Sequence, residues 1–214
     1  MHDRSGGLSW GLTLPIAAKH NARGMNSAAH IVSFDDEPLI LVDGDDQPVG
    51  QASKTDCHAG GGLLHRAFSV FLFDDAGRML IQQRGADKRL WPKFWSNACC
   101  SHPRVGEQLD DAVARRLREE LGTTATLRHV FAFEYRARYG NVGSEHELCH
   151  VYLGRFHDAL TPNATEIAAT KVIEVDAFEA HLRAEPERYT PWFKLEWERI
   201  RAEHWPSVAR LLPP

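Results

Sequence analysis

Nowhere does the chain carry the roughly 20 consecutive apolar residues that a helix needs to cross a bilayer, so no membrane partner is expected. It also lacks a basic surplus. The net charge is -4, with 25 Lys and Arg against 29 Asp and Glu, which argues against a general nucleic-acid binder. Cysteine is scarce: only Cys57, Cys99, Cys100 and Cys149 occur, and no pair has CxxC spacing. That excludes a disulfide framework and fits reduced, cytoplasmic chemistry. There is no internal repeat and no low-complexity tract. What remains is an ordinary globular composition over 214 residues, 43% hydrophobic and 25% charged, enough for one domain with its own core.

Residues 1–35 show no clear period and mix Gly, Ser, His and Asn, which predicts a disordered leader followed by a single domain over 36–212. Pro38 to Val42 is a short apolar run closed by the turn Asp43-Gly44-Asp45-Asp46. Phe68–Phe73 and Met79–Gln83 read as two strands joined through Asp74-Asp75-Ala76-Gly77. Leu109, Ala112, Val113, Leu117 and Leu121 recur at helical spacing before Gly122, predicting a helix over 109–121. Further strands are expected at 127–135, 147–156 and 171–175, and helices at 176–183 and 191–203. This interleaving favours an α/β architecture.

Histidine is the residue in excess, at 12. His58 and His65 flank Ala59-Gly60-Gly61-Gly62, and His102 lies in Cys99-Cys100-Ser101-His102-Pro103. Glu145 and Glu147 alternate where a strand begins, so both carboxylates share a face. Like charges held together repel unless a cation or a proton sits between them. Three imidazoles and two carboxylates form a mixed N/O set suited to Mn²⁺, Fe²⁺ or Zn²⁺, with Mg²⁺ preferring the oxygens. Each residue alone reads equally well as a solvated or hydrogen-bonded side chain; only convergence would make a site. In the 109–121 helix, Glu120 follows Arg116 by one turn, either as a surface ion pair or as a carboxylate and a guanidinium for Mg²⁺ and phosphate.

That helix resembles the Nudix box, G-x5-E-x7-R-E-U-x-E-E-x-G-U, where U is an aliphatic residue. Glu107, Arg115, Leu117, Glu119, Glu120 and Gly122 fit. Ser101 replaces the opening Gly, Arg116 replaces the Glu after the Arg, and Thr123 replaces the closing aliphatic. The flanking segments extend the resemblance to the type I isopentenyl-diphosphate isomerases. They are Lys54-x3-His58-x6-His65-Arg66-Ala67-Phe68-Ser69, and Gln83-Arg84-x3-Lys88-x2-Trp91-Pro92-x2-Trp95-Ser96-Asn97-x-Cys99-Cys100-Ser101-His102-Pro103. Glu134-Tyr135-Arg136-Ala137 and Glu145-x-Glu147-x-Cys149 follow the helix.

The resemblance implies a single Nudix-like domain, a mixed sheet sandwiched between helices. It implies interconversion of isopentenyl and dimethylallyl diphosphate through a tertiary carbocation. His58, His65, His102, Glu145 and Glu147 would hold one divalent metal, Mn²⁺ or Mg²⁺ with Zn²⁺ as a further candidate. Glu120 would help hold Mg²⁺ on the substrate diphosphate. Cys100 and Glu147 would be the acid/base pair on opposite faces of the substrate, with Tyr135 assisting beside Glu147. Trp192 would face the cation, and Lys54, Arg84, Lys88 and Arg116 would bind the diphosphate. The implied partner is that small molecule, on a monomer or weak homodimer. The alternatives are a Nudix hydrolase, disfavoured by Arg116 in the glutamate cluster, and a non-catalytic binding module, which needs neither Cys100 nor Glu147.

Overall fold

The computed structural model describes residues 30–211. Nine strands form one mixed sheet: β1 (Pro38–Val42), β2 (Pro48–Ser53), β3 (His65–Phe73), β4 (Met79–Arg84), β5 (Trp95–Ser96), β6 (Cys99–Ser101), β7 (Thr126–Tyr139), β8 (Gly143–Arg155) and β9 (Ile167–Ile173). The helices are α1 (Lys54–Cys57), α2 (Leu109–Leu121), α3 (Val175–Ala184), α4 (Pro191–Arg199) and α5 (Trp205–Ala209), with a π-helical turn over Ile200–His204. The helix expected from the Leu109–Leu121 spacing has those bounds, and Gly122 ends it at φ 64° in the left-handed conformation that glycine tolerates. β2 was not expected; its burial pattern is mostly exposed, so Pro48–Ser53 carries little apolar periodicity to read.

β3 is the centre of the sheet. One edge runs parallel to β8 along its whole length, from His65↔Glu147 to Phe73↔Arg155. Its other edge is shared in turn by β1 at His65, β6 over Phe68–Val70 and β4 at Leu72–Phe73. β7 then pairs antiparallel with β8, placing Tyr135 opposite Glu147. Both faces of β3 are covered, and its residues divide between two cores by alternation. Phe68, Val70 and Leu72 pack with Val113, Leu117 and Leu121 of α2. Ala67, Phe71 and Phe73 pack with Phe178, Phe193 and Trp197 of α3 and α4. Full burial of each Val, Leu or Phe contributes about 1.5–3 kcal/mol. Two-sided burial is why the strand reads as a continuous apolar run.

Contacts with the domain reach back before residue 36. Of the leader expected over 1–35, residues 1–29 lie outside the described residues, but 30–35 pack on the domain. Val32 is buried, and its carbonyl accepts from Arg116 Nη1 at 2.7 Å. The His30 carbonyl accepts from Asn163 Nδ2 at 2.7 Å, and Ser33 Oγ accepts from Lys54 Nζ. This segment lacks an apolar period because it contributes acceptors to buried donors.

The Gly-rich loop after α1 is pinned against the start of β8. Ser144 N and Oγ donate to the carbonyls of His58 and Gly60 at 3.0 and 2.8 Å. Gly143 leaves no room there: a Cβ would lie 2.3 Å from the His58 carbonyl oxygen. Gly143→Ala is therefore expected to displace the His58 loop and to destabilise the fold by about 1–3 kcal/mol. Chemical denaturation checks this, and an unchanged midpoint would refute the close packing.

Candidate functional site

A cavity of about 410 Å³ opens between the start of β8, the loop after β4 and the 30–35 segment. Its lining includes Lys54, His58, Arg84, Lys88, Cys100, His102, Arg116, Tyr135, Glu145, Glu147 and Trp192. Most residues singled out in the sequence thus meet at one place. His65 lies directly behind the wall. Glu120 is the exception: it is buried among the core residues of α2 and does not face the cavity.

Strand register builds the nitrogen and oxygen cluster. His65, Glu147 and Tyr135 sit side by side on β3, β8 and β7. His102 follows β6, and His58 follows α1. His65 Nδ1 is 2.7 Å from the Leu63 carbonyl and His58 Nδ1 is 2.6 Å from that of Lys54. A carbonyl only accepts, so each Nδ1 carries the proton and each Nε2 presents a lone pair. Those lone pairs converge. His65 Nε2 lies 3.2 Å from His102 Nε2, which is 3.0 Å from Glu147 Oε1. The donor atoms of His58, His65, His102 and Glu147 all lie within 4.8 Å of one another. Glu145 Oε2 approaches His58 Nε2 to 2.7 Å yet is buried without a hydrogen-bond partner. Bare nitrogens packed together beside an orphaned buried carboxylate oxygen fit a bound divalent cation, which the group can hold. Burial holds His102 neutral, its pKa lowered to about 3. Burial alone would raise the Glu147 carboxyl, but the neighbouring His102 and His65 outweigh it and hold it well below its usual range, so it is ionised.

The second half of the site is cationic. Lys54 and Lys88 line it with Arg116, and Glu166 sits among them. Lys88 pairs with Glu166, and Arg116 Nη2 lies 3.4 Å from it. Arg116 also donates through Nε and Nη2 to Glu120 Oε1 at 2.9 and 2.6 Å. Burial alone would lower Arg116, but Glu120 and Glu166 outweigh it and raise its pKa. Lys54 is lowered by burial and by Lys88. Three of the singled-out residues keep this end basic, but Glu166 belonged to no motif. An isolated Thr-Glu-Ile before a strand has nothing to mark it; only the fold brings it to the cations.

Cys100 faces the cavity from β6. Its Sγ donates to Asn97 Oδ1 at 2.8 Å and accepts from Trp192 Nε1 at 3.1 Å. Burial, reinforced by Glu196, pushes its pKa up to about 12, so it is a thiol at neutral pH. Cys99 is the fully buried neighbour, packed in the α2 core, which leaves Cys100 as the thiol that reaches the cavity. Across from it, Tyr135 Oη donates to Glu147 Oε2 at 2.6 Å. Burial and then Glu147 raise the Tyr135 phenol well above its usual range, so it stays protonated. The Arg84 guanidinium packs over the Trp192 ring, 5.1 Å from its centroid, and donates to the carbonyls of Leu90 and Trp91. The arrangement joins a proton-bearing thiol, a phenol–carboxylate pair and an indole in a pocket with a cationic end.

Two expected outcomes test this geometry. His58→Ala removes one converging nitrogen; the Mn²⁺ content of purified protein should fall at least tenfold by elemental analysis, and unchanged metal would refute the ligand role. For Glu166, burial raises the carboxyl but Lys88 and Arg116 lower it further, so its folded pKa lies below the unfolded one. Its contribution is then fully present above about pH 4.3 and is lost as pH falls through the folded value. Glu166→Gln should lower stability at neutral pH and flatten the loss on acidification. Urea melts from about pH 3 to 7 check this; an unaltered slope would mean that Glu166 is not held ionised by its neighbours.

The comparisons with known proteins agree with the geometry. Residues 63–193 match the model of the NUDIX domain. The chain is 48% identical over 164 residues to the isopentenyl-diphosphate Delta-isomerase of Burkholderia multivorans, covering 77% of this chain and 93% of that protein. It is 41% identical over 174 residues to isopentenyl-diphosphate Delta-isomerase 1 of Photorhabdus laumondii, covering 80% and 99%. Among solved structures, a protein from Deinococcus radiodurans superposes with a TM-score of 0.57 at 23% identity, over 69% of this chain and 90% of that one. A MutT protein from Methanosarcina mazei gives 0.54 at 17%, over 65% and 94%. The two structures share the fold; the sequence relatives and the site residues go further, and the chain belongs to the NUDIX-domain family, among its isopentenyl-diphosphate Delta-isomerases.

Proposed function

We propose that this chain interconverts isopentenyl and dimethylallyl diphosphate by adding a proton at one end of a three-carbon unit and removing one at the other. The observation that carries this reading is that Cys100, Tyr135 with Glu147, Trp192 and the cationic set line a single cavity. Protonating an unactivated alkene creates a tertiary carbocation, which needs a strong local acid, a stabilising face and no water. Cys100 and the Tyr135–Glu147 pair are the two proton-handling groups, on different strands. The Trp192 face offers cation–π attraction to the positive carbon, and its N–H holds the Cys100 sulfur in place.

Lys54, Arg84, Lys88 and Arg116 bind the diphosphate. That remote charge orients the hydrocarbon end between the proton-handling groups. In the free protein Glu166 occupies the middle of these cations. His58, His65, His102, Glu145 and Glu147 would hold a divalent metal, Mn²⁺ or Mg²⁺ by their donor set. When bound, the metal would supply positive charge that keeps Glu147 ionised and the imidazoles fixed. Glu120, turned away from the cavity and bonded to Arg116, would act on the diphosphate only by holding that guanidinium, not by reaching Mg²⁺ itself. The reading as a diphosphate hydrolase is weaker, because Arg116 takes the place of a box glutamate and engages both Glu119 and Glu120.

Proton NMR of isopentenyl diphosphate with the protein and Mg²⁺ in D₂O is the direct test. Growth of dimethylallyl signals with deuterium incorporation is expected. Cys100→Ala and Glu147→Gln should each lower turnover by about 10²–10⁴-fold without loss of folded structure. Near-normal rates in both variants, or inorganic phosphate release in place of isomerisation, would overturn the assignment.

A further inference from the structure

The cationic end of the cavity already holds an anion. Glu166, immediately before β9, lines the cavity and is only 5% exposed. Its backbone is fixed on both sides: its N–H donates to the Asn163 carbonyl at 3.0 Å, and its carbonyl accepts from Gly85 N at 2.7 Å. One carboxylate oxygen, Oε2, pairs with Lys88 and also lies 3.4 Å from Arg116 Nη2. A single oxygen between an ammonium and a guanidinium occupies the position that a phosphoryl oxygen would take. The donors of Arg116 are nearly all used. Of the five N–H groups of an arginine, Nε donates to Glu120 Oε1 at 2.9 Å and Nη1 to the Val32 carbonyl at 2.7 Å and Glu119 Oε2 at 3.1 Å. Nη2 donates to Glu120 Oε1 at 2.6 Å. The N–H that remains is on Nη2, the nitrogen beside Glu166. A ligand therefore reaches Arg116 by taking the place of Glu166 Oε2, and the same exchange gives it Lys88. Lys54 differs, because its Nζ donates to Ser33 Oγ rather than to Glu166.

We propose that Glu166 is a specificity-determining residue: a resident anion that holds Lys88 and Arg116 against single-phosphate anions and yields them to a diphosphate, whose second phosphoryl group takes Lys54 as well. This inference rests on the functional reading above. The carboxylate is carried by the chain itself, so its local concentration is high and constant. The free energy of displacing it is the same for any anion that enters. Such a fixed penalty removes the occupancy of a weak ligand and leaves a strong one bound. Orthophosphate gains Lys88 and Arg116, the contacts that Glu166 already makes, so the exchange favours it little. A diphosphate replaces those contacts and adds Lys54, which lines the same cavity. Burial by itself would raise the Glu166 carboxyl, but Lys88 and Arg116 outweigh it, so Glu166 meets either ligand as an anion.

Isothermal titration calorimetry on the full chain tests this, with inorganic orthophosphate and pyrophosphate as ligands, at equal metal content and without added Mg²⁺. Glu166→Gln keeps the shape of the side chain and removes its charge. It should bind orthophosphate about tenfold tighter than the parent or more, and pyrophosphate tighter by a similar factor. Orthophosphate should then inhibit the isomerisation competitively at concentrations that the parent tolerates. Adding Lys88→Met should abolish the gain. Unchanged or weaker orthophosphate binding in Glu166→Gln would mean that the carboxylate shapes the site rather than contests it, and overturns the inference. A gain that survives Lys88→Met overturns it too, because the anion would then sit elsewhere. If Glu166→Gln does not fold, Glu166→Asp decides: drawing the charge back by one methylene should tighten orthophosphate about threefold or more, and an unchanged Kd overturns the inference. Calorimetry needs no turnover, so the two readings fail separately. A parent that binds pyrophosphate without isomerising isopentenyl diphosphate sinks the functional reading; a parent that turns over, with orthophosphate affinity unchanged in Glu166→Gln, sinks only the inference.

Discussion

The parallel pairing of β3 with β8 is the constraint on which the site depends. It aligns His65 with Glu147 and, through the antiparallel β7, Tyr135 with both. A slip of one residue would turn every side chain of β8 to the opposite face. Glu145 and Glu147 would then enter the α2 core, while the Phe, Val and Leu pattern of β3 would lose its partners on both sides. The apolar alternation that holds register is therefore the same feature that holds the carboxylates beside the imidazoles. Parallel strands need a long crossover, and α2 lies within that crossover. The helix with the box motif is thus tied to the sheet by topology as well as by Leu117 and Leu121.

Charge is segregated within the cavity. Nitrogen lone pairs and carboxylates gather where β3, β6 and β8 meet. Lys54, Lys88 and Arg116 gather where α1, α2 and the 30–35 segment meet. Each half is unfavourable alone. Imidazole nitrogens facing each other at 3.2 Å repel unless a cation or a proton sits between them, and burial together with Lys88 depresses Lys54. Glu166 offsets part of the second imbalance in the free protein. A dianionic diphosphate would offset more of it. The reacting carbons would then fall between the halves, against Trp192, where neither set of charges competes for the proton.

Much of this was legible in the residues, for identifiable reasons. Helix α2 announced itself through apolar spacing and a terminal glycine, and the paired glutamates of β8 through alternation. The metal set was legible as chemistry but not as geometry: His58 and His102 flank different elements, and only the fold brings them within reach of each other. Three features left no trace. β2 is exposed and carries no period. The 30–35 segment contributes carbonyls, which any residue supplies. Glu166 and Glu196 are single carboxylates whose meaning comes entirely from what folds around them. The contacts of residues 30–35 escaped the sequence for the same cause, since backbone acceptors such as Val32 O are invisible in side-chain composition.

Arg116 shows how one substitution can redirect an old scaffold. In the box pattern its position carries a glutamate, and a helix face bearing three carboxylates within two turns draws cations. Here a guanidinium stands in that place, bonded to Glu120 within the helix and to Val32 O outside it. Two consequences follow from charge alone. The face loses one negative charge and gains one positive, a change of two units beside the cavity. The carboxylates that remain are partly occupied by hydrogen bonds from Arg115 and Arg116, so fewer oxygens are free for metals that would activate water. What the position gains is a donor fork that matches phosphate oxygens and stays charged when buried. On the proposed reading, a face that in the box pattern gathers metals around a diphosphate would here grip the diphosphate and leave its bonds intact. The proposed proton transfers would then fall at the other end of the cavity, where Cys100 and Glu147 lie.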